Sequence, residues 1–342
     1  MLRIGTGEMI SVAVLGCGYW GPSLLRNFAG SPCFRLVACA DSNADRFERL
    51  AGRYPGVCFT TDYEQVLHDD AIDAVAISTP AATHYPLARE ALLCGKHVLV
   101  EKPLATSVVH AQELVQMARC NGRTLMVDHT FVYTGAVRKI REIVEHEELG
   151  EVYYFDSVRV NLGLFRHDVN VLWDLAPHDL SIMDFVLQRQ PVAVSATGGA
   201  HIVRPMMDVA YLTVYFDDML LAHFHCNWLA PVKVRSIIIG GSKRLVLFDD
   251  CEPSEKVKIY DRGIDGVTSN DLYKKLVQYR LGDMYAPTLD TREALSVACE
   301  HFAACIITGQ EPITGGAAGL AVVRLLEAAE RSILQDSRKV TL

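Results

Sequence analysis

The stretch Val12-Ala-Val-Leu-Gly16-Cys-Gly18-Tyr-Trp-Gly21 constrains this chain more than any other. An apolar run enters a Gly-x-Gly-x-x-Gly turn, and a helical pattern follows it. Gly16 permits a tight turn, Gly18 lets the backbone approach a bound group, and Gly21 lets the next helix pack closely on the strand. The helix then presents free N–H groups and the positive end of its dipole to a phosphate. Together these features predict a βαβ unit that binds a dinucleotide, with Tyr19 and Trp20 inside the contacting turn.

The downstream sequence fits that unit. Leu24, Leu25 and Phe28 recur at helical spacing. A second apolar run, Phe34 to Ala40, ends in Asp41, twenty residues after Gly21. An acidic side chain at that place meets ribose hydroxyls and repels a 2′-phosphate, which favours NAD. Asp41 would also serve as the cap of a helix over 43–54. Arg46 keeps NADP compatible.

A chain of 342 residues suggests two domains at ~150 residues each. Half of its residues are hydrophobic, enough for two cores, and the formal charge of −8 argues against a nucleic-acid partner. No apolar run approaches the ~18 residues that span a bilayer, so no membrane partner is expected. Residues 1–9 lack the apolar core of a signal peptide. The ten cysteines contain no Cys-x-x-Cys pair. Cys17, Cys39, Cys94, Cys120 and Cys305 lie in apolar periodic segments and read as small buried hydrophobes. A reducing, cytoplasmic location is expected.

Residues 1–128 alternate short apolar runs (12–15, 36–40, 74–77, 97–100, 125–127) with helical patterns (21–29, 43–54, 83–94, 107–120). That rhythm predicts a doubly wound parallel sheet, an α/β domain. Gly95 and Gly122 are helix stops. Residues 129–342 read as a second, α+β domain. It opens with a helix over 135–147, followed by strands over 151–160, 192–200, 209–216, 219–227, 233–240 and 243–248. Asp217-Asp218 and Gly240-Gly241-Ser242 mark turns in a large, open, mainly antiparallel sheet. One helix interrupts it near 175–187, and helices near 290–308 and 315–335 close the chain.

Three segments carry chemistry. Ile77-Ser78-Thr79-Pro80, followed by His84, ends a parallel strand, where ligands of such folds bind. Val100-Glu101-Lys102-Pro103 ends the next strand. An ammonium there can hold an alkoxide or orient a hydroxyl, and Pro103 fixes the loop, with a cis bond open to it. In Leu172-Trp173-Asp174-Leu-Ala-Pro177-His178, Pro177 places a helix start near Asp174. Asp174 and His178 then share a face, and the helix dipole favours the neutral imidazole that a general base needs. Each segment also has a plain structural reading: an ordinary loop, a solvated ion pair, a capping Asp beside a core His.

In combination, the Gly16–Gly21 turn, Thr79-Pro80, Glu101-Lys102-Pro103 and the Asp174/His178 pair resemble the Gfo/Idh/MocA family of NAD(P)-dependent oxidoreductases, over nearly the whole chain. The resemblance implies a Rossmann domain followed by an open-sheet domain whose outer face makes dimers or tetramers. It implies Lys102 and His178 as the catalytic pair, with Asp174 as partner. His178 would take the hydroxyl proton while hydride leaves the same carbon, and Lys102 would hold the oxygen. It further implies cofactor contacts from Gly16, Gly18, Tyr19, Trp20, Gly21, Asp41, Ser78, Thr79, Pro80, His84, Glu101 and Lys102. Substrate contacts would come from Lys102, Tyr133, Asn161, Arg166, Trp173, Asp174 and His178. Val171-Leu-Trp-Asp-Leu-Ala-Pro-His lacks the glycines common before this Asp and His, and looks like the branch acting on UDP-N-acetylglucosamine or its uronic acid at C3. Thr134, where proline often follows the aromatic pair Phe131 and Tyr133, is a departure in the substrate-side loop.

Asn161, Arg166 and His167 hint at an anionic substrate. His223 and His225 share one strand face without a third ligand, so no metal is expected. Tyr153-Tyr154-Phe155 reads as sheet packing. The expected activity is hydride transfer between nicotinamide and a secondary hydroxyl or ketone of a sugar or nucleotide sugar, at C3. Alternatives are an NAD-dependent glycosidase using transient C3 oxidation, an inositol or free-hexose dehydrogenase, and a non-catalytic dinucleotide sensor. Lys102 and His178 argue against the last.

Overall fold

The computed structural model describes residues 9–163, 168–267 and 277–342. The substrate-side candidates Arg166 and His167 lie outside the described residues. The chain divides into two compact units. The first runs through Tyr133 and also takes Arg292–Arg324; the second comprises Thr134–Thr291 and Leu325–Leu342.

The first unit begins with β1 (Ile10–Leu15), α1 (Gly21–Gly30) and β2 (Phe34–Ala40). The short α2 (Glu48–Ala51), β3 (Cys58–Thr60), α3 (Tyr63–Leu67) and β4 (Ala74–Ile77) follow. It continues with α4 (His84–Leu93), β5 (His97–Glu101), α5 (Val108–Cys120) and β6 (Leu125–Asp128). All six strands are parallel, in the order β3-β2-β1-β4-β5-β6. The direction of winding reverses between β1 and β4, and ligands of such sheets bind at that switch point, beyond the carboxyl ends. Every residue of β1 and β4 is buried, because helices cover both faces of a parallel sheet. Gly95 and Gly122 sit at φ +72° and +60° after α4 and α5, as helix stops require.

The second unit holds α6 (Gly135–Glu145), β7 (Val152–Leu162), α7 (Val171–Leu187), β8 (Ala193–Gly199), β9 (Val209–Tyr215) and β10 (Leu221–Asn227). Next come β11 (Leu229–Gly241), β12 (Leu245–Asp249), β13 (Val257–Val267) and β14 (Val277–Tyr285). The chain ends with α8 (Ala294–Thr308), α9 (Gly316–Leu334) and β15 (Val340–Thr341). Of these, α8 and the start of α9 belong to the first unit. The nine-stranded sheet has the order β14-β13-β12-β11-β7-β10-β9-β8-β15. Among the described residues of this sheet, only β7 and β10 pair in parallel. One face is apolar, with Phe155, Leu212 and Phe224 buried. The other leaves Tyr211, Leu221 and Ile238 exposed. Mixed, mainly antiparallel pairing with alternating burial is what the sequence predicts for this half.

Several local expectations are corrected. The helix placed over 43–54 is a 3₁₀ turn at Ala44–Arg46 and one turn of α2. Its only buried residue is Leu50, too little apolar surface to hold a longer helix. Cys120 is exposed and Cys94 half-buried, because each falls where a helix ends at the surface. α7 starts at Val171, three residues before Asp174, because Asn170 caps it by accepting from the N–H groups of Leu172 and Trp173 at 3.0 and 3.2 Å. Pro177 therefore lies inside the helix and Asp174 is not its cap.

Candidate active site

The glycine turn leaves β1 and enters α1. Gly16 has φ +91°, and a Cβ there would lie 2.8 Å from the carbonyl oxygen of Ser78. Only glycine meets both conditions. The Ser78 hydroxyl donates to the Gly16 carbonyl at 2.7 Å and ties the turn to the end of β4. A Cβ on Gly18 would instead meet only the Arg46 guanidinium, at 3.5 Å. The turn is thus packed behind Gly16 and open in front of Gly18. No side chain caps the start of α1, where Pro22 has no N–H and the Ser23 N–H bonds the Trp20 carbonyl at 2.9 Å. Tyr19, in the turn, is 88% exposed. This arrangement fits a pyrophosphate.

Asp41 follows β2 with its side chain 3% exposed. Its carboxylate accepts from the Cys17 N–H at 2.8 Å, the Asn43 N–H at 2.9 Å, and the Arg46 guanidinium at 2.9 and 3.1 Å. Burial alone would raise its pKa. The three donors outweigh burial and hold it below the usual carboxylate range. The Cys17 bond joins this carboxylate directly to the glycine turn.

Two further loops leave the same edge of the sheet. Thr79-Pro80 follows β4, and Lys102-Pro103, joined by a cis bond, follows β5. His84 is buried between them: Nδ1 lies 2.7 Å from the Pro103 carbonyl oxygen and Nε2 lies 3.0 Å from that of Thr79. Both neighbours are acceptors, and a neutral ring has one N–H, so the tautomer decides which carbonyl receives it. His84 staples the two loops, a place that the expected cofactor contact did not include. The Thr83 hydroxyl donates to the Thr79 hydroxyl at 2.7 Å and steadies the first loop.

The end of β6 adds residues that the sequence reasoning missed. Asp128 pairs in register with Glu101. It accepts from the Trp20 indole at 3.0 Å and from the Thr130 hydroxyl at 2.7 Å. Burial, then the charge of Asp128, pushes Glu101 well above the usual carboxylate range. His129 is buried, and burial together with the Lys102 charge lowers it to about 3, so its imidazole is neutral. The available signal was positional: these residues end the sixth strand as Asp41 and Lys102 end the second and fifth. Tyr133 is buried, and its hydroxyl bonds Thr314 at 3.0 Å inside the first unit.

In the second unit, Asp174 and His178 lie one turn apart on α7 and both are half-exposed, while Trp173 is buried. The shared face expected from the spacing is present. The dipole argument is corrected, because His178 is the eighth residue of α7 and the dipole effect fades within the first turn. Asp174 accepts from the Trp228 indole at 3.2 Å. Asn161 is half-buried near the end of β7. His223 and His225 flank Tyr211, with the His225 ring stacked on it at 4.5 Å. Among the described residues, no group of three His, Cys, Asp or Glu side chains is placed to hold a metal, and no helix is long and apolar enough to cross a membrane.

Comparison with known proteins agrees with this anatomy. The family model described as "Oxidoreductase family, NAD-binding Rossmann fold" matches residues 10–129, and the Gfo/Idh/MocA C-terminal domain model matches residues 137–246. UDP-N-acetylglucosamine 3-dehydrogenase of Acidithiobacillus ferrooxidans is 26% identical, covering 98% of this chain and 100% of that protein. Inositol 2-dehydrogenase of Rhizobium meliloti is 26% identical, over 97% of this chain and 99% of the other. The crystal structure of GenD2 from gentamicin A biosynthesis, in complex with NAD, superposes with a TM-score of 0.82 at 25% identity, covering 98% of this chain and 97% of GenD2. With the glycine turn, its acidic partner and a Rossmann sheet in place, the chain belongs to the Gfo/Idh/MocA family and is an NAD(P)-dependent oxidoreductase.

Proposed function

We propose that the protein oxidises a secondary ring hydroxyl of a sugar or nucleotide sugar, at C3, or reduces the matching ketone. The observation that carries this reading is the place of Lys102. It follows β5 at the carboxyl edge of the sheet whose switch point bears the glycine turn. Related enzymes named for UDP-N-acetylglucosamine and for inositol both act on ring alcohols, which supports the substrate class. When bound, oxidised nicotinamide supplies the hydride acceptor. His178 accepts the hydroxyl proton as general base, and Asp174 orients its imidazole or anchors a neighbouring hydroxyl. The Lys102 ammonium holds the reacting oxygen while its charge develops. Asn161 contributes a hydrogen bond to the substrate.

The test is NADH formation, read near the reduced-nicotinamide band at about 340 nm, with UDP-sugars, free hexoses, sugar acids and inositols. Growth with one ring-alcohol class is expected. A protein that holds NAD yet yields no NADH with any of them, and reduces no matching ketosugar, overturns the proposal. Release of an aglycone without net NADH would replace it with the transient-oxidation glycosidase.

Cofactor preference rests on one exposed side chain. Arg46 occupies both Asp41 oxygens, and its side chain is 48% exposed. When it swings out, Asp41 is open to ribose hydroxyls and the guanidinium is free for a 2′-phosphate. Arg46→Ala is therefore expected to weaken NADPH binding about tenfold, the worth of one charge-assisted contact, while leaving NADH binding intact or tighter. Fluorescence titration of both nucleotides measures the ratio. An unchanged ratio removes Arg46 from cofactor selection.

A further inference from the structure

Arg159 and Asp179 form a sealed ion pair in the second unit. Arg159 stands on β7, in the middle of the nine-stranded sheet, and Asp179 stands on α7 next to His178. The guanidinium donates through Nε at 2.8 Å and Nη2 at 2.6 Å, one bond to each carboxylate oxygen. The two side chains are 4% and 3% exposed. Burying two charges costs enough desolvation that well-packed apolar residues often hold a fold equally well or better. Net stability therefore does not account for the pair.

The neighbouring thiol does not account for it either. Cys226 lies opposite Arg159 in the sheet register, but it is buried and burial raises its pKa, which makes it inert.

The local backbone supplies a reason. Pro177 lies inside α7, and without an N–H it cannot bond the Trp173 carbonyl one turn back. The helix thus loses a rung in the turn that joins Asp174 to His178. Side chains brace that turn. The Trp228 indole holds Asp174 at 3.2 Å, and the Ser181 hydroxyl donates to the His178 carbonyl at 2.7 Å. The Arg159 fork then grips the residue directly after His178. Successive helical residues point about 100° apart, which agrees with Asp179 buried toward the sheet and His178 half-exposed. A planar, two-bonded fork fixes rotation about the helix axis, which a single hydrogen bond or an apolar contact leaves looser.

We infer that the Arg159–Asp179 pair is a positioning device that sets the rotation of α7, and with it the direction of the His178 imidazole. The link to turnover rests on the reading of His178 as the base; the orientation itself does not.

The test replaces both charges at once, with Arg159→Met and Asp179→Leu together, so that neither charge of the pair is left buried without the other. The readout is the imidazole Cε1–H NMR signal of His178 in protein carrying 13C-labelled histidine, assigned by its loss in His178→Asn. Thermal stability is expected to hold. The His178 signal is expected to move and to broaden or split, while most of the other histidine signals stay in place. With a ring alcohol that the protein oxidises, kcat is expected to fall roughly tenfold to a hundredfold at near-constant KM, the usual cost of a misaimed group. Arg159→Lys keeps the charge but not the fork, and is expected to move the same signal less. It also serves as the test should the double variant fail to fold. A His178 signal unchanged in the variants that fold overturns the inference. Unimpaired turnover by His178→Asn would instead overturn the role of His178, and the two failures are separately visible.

Discussion

His178→Asn is expected to lower kcat roughly 10²- to 10⁴-fold, the range that a positioned general base contributes. Asparagine keeps a polar side chain of similar reach but cannot take up a proton. The pH profile should change with it: the acid limb that protonation of an imidazole base imposes on kcat should disappear from the residual activity. NADH affinity should stay at the wild-type value, because the glycine turn and the hydrogen bonds of Asp41 involve no group of α7. Lys102→Met should cost roughly 10²- to 10³-fold in kcat, as loss of one donor to a developing oxyanion does. The two variants combined should cost little more than the worse one alone, since residues acting on one proton transfer are not additive. Single-turnover rates with saturating NAD measure all three. Wild-type turnover by His178→Asn would remove it from the chemistry.

Arg159→Ala alone is expected to destabilise the second unit by about 3–5 kcal/mol. Truncation removes the guanidinium and leaves the Asp179 carboxylate sealed from water with two lost partners. The double apolar variant strands neither charge of the pair and keeps side-chain volume at both positions. Urea unfolding in a Trp20→Phe background isolates the second unit, whose reporters are then Trp173 and Trp228. A stability loss below about 1 kcal/mol for Arg159→Ala would show that water reaches Asp179, which its burial denies. The contrast between single and double variants separates the cost of orphaning a charge from the worth of the pair.

How much of this was legible beforehand depends on what a side chain packs against. Val12–Leu15 and Ala74–Ile77 are buried on both faces, so they read as unbroken apolar runs and were placed correctly. Cys58–Thr60 is a three-residue edge strand, exposed or half-exposed throughout, and nothing in its pattern announces it. β13 and β14 escaped for a similar reason: they lie at the open edge of the large sheet, where Asp261 and Arg280 pair at 3.1 Å across the ladder. The strand-end residues Asp41 and Lys102 were legible because a parallel sheet sends its carboxyl ends to one edge. Asp128 was not, although it ends the sixth strand, because its partners Trp20 and Glu101 come from distant parts of the sequence. Arg159 and Asp179 were invisible in a stronger sense. Each charge alone reads as surface, and only the packing of α7 on β7 turns twenty residues of separation into two hydrogen bonds.

The first unit is built from two separated stretches of chain. Phe302 stacks on Phe34 with ring centroids 6.0 Å apart, Glu293 grips Arg26, and Thr314 bonds the Val127 carbonyl at 2.7 Å. On a ribosome adding roughly 5–20 residues per second, many seconds pass between the making of α1 and the arrival of α8. Throughout that interval α1 lacks its helical neighbour α8. A nascent chain that stops before Arg292 carries an intact glycine turn on an unfinished core. The contacts made by Glu293, Phe302 and Thr314 are thus among the last that the first unit can acquire.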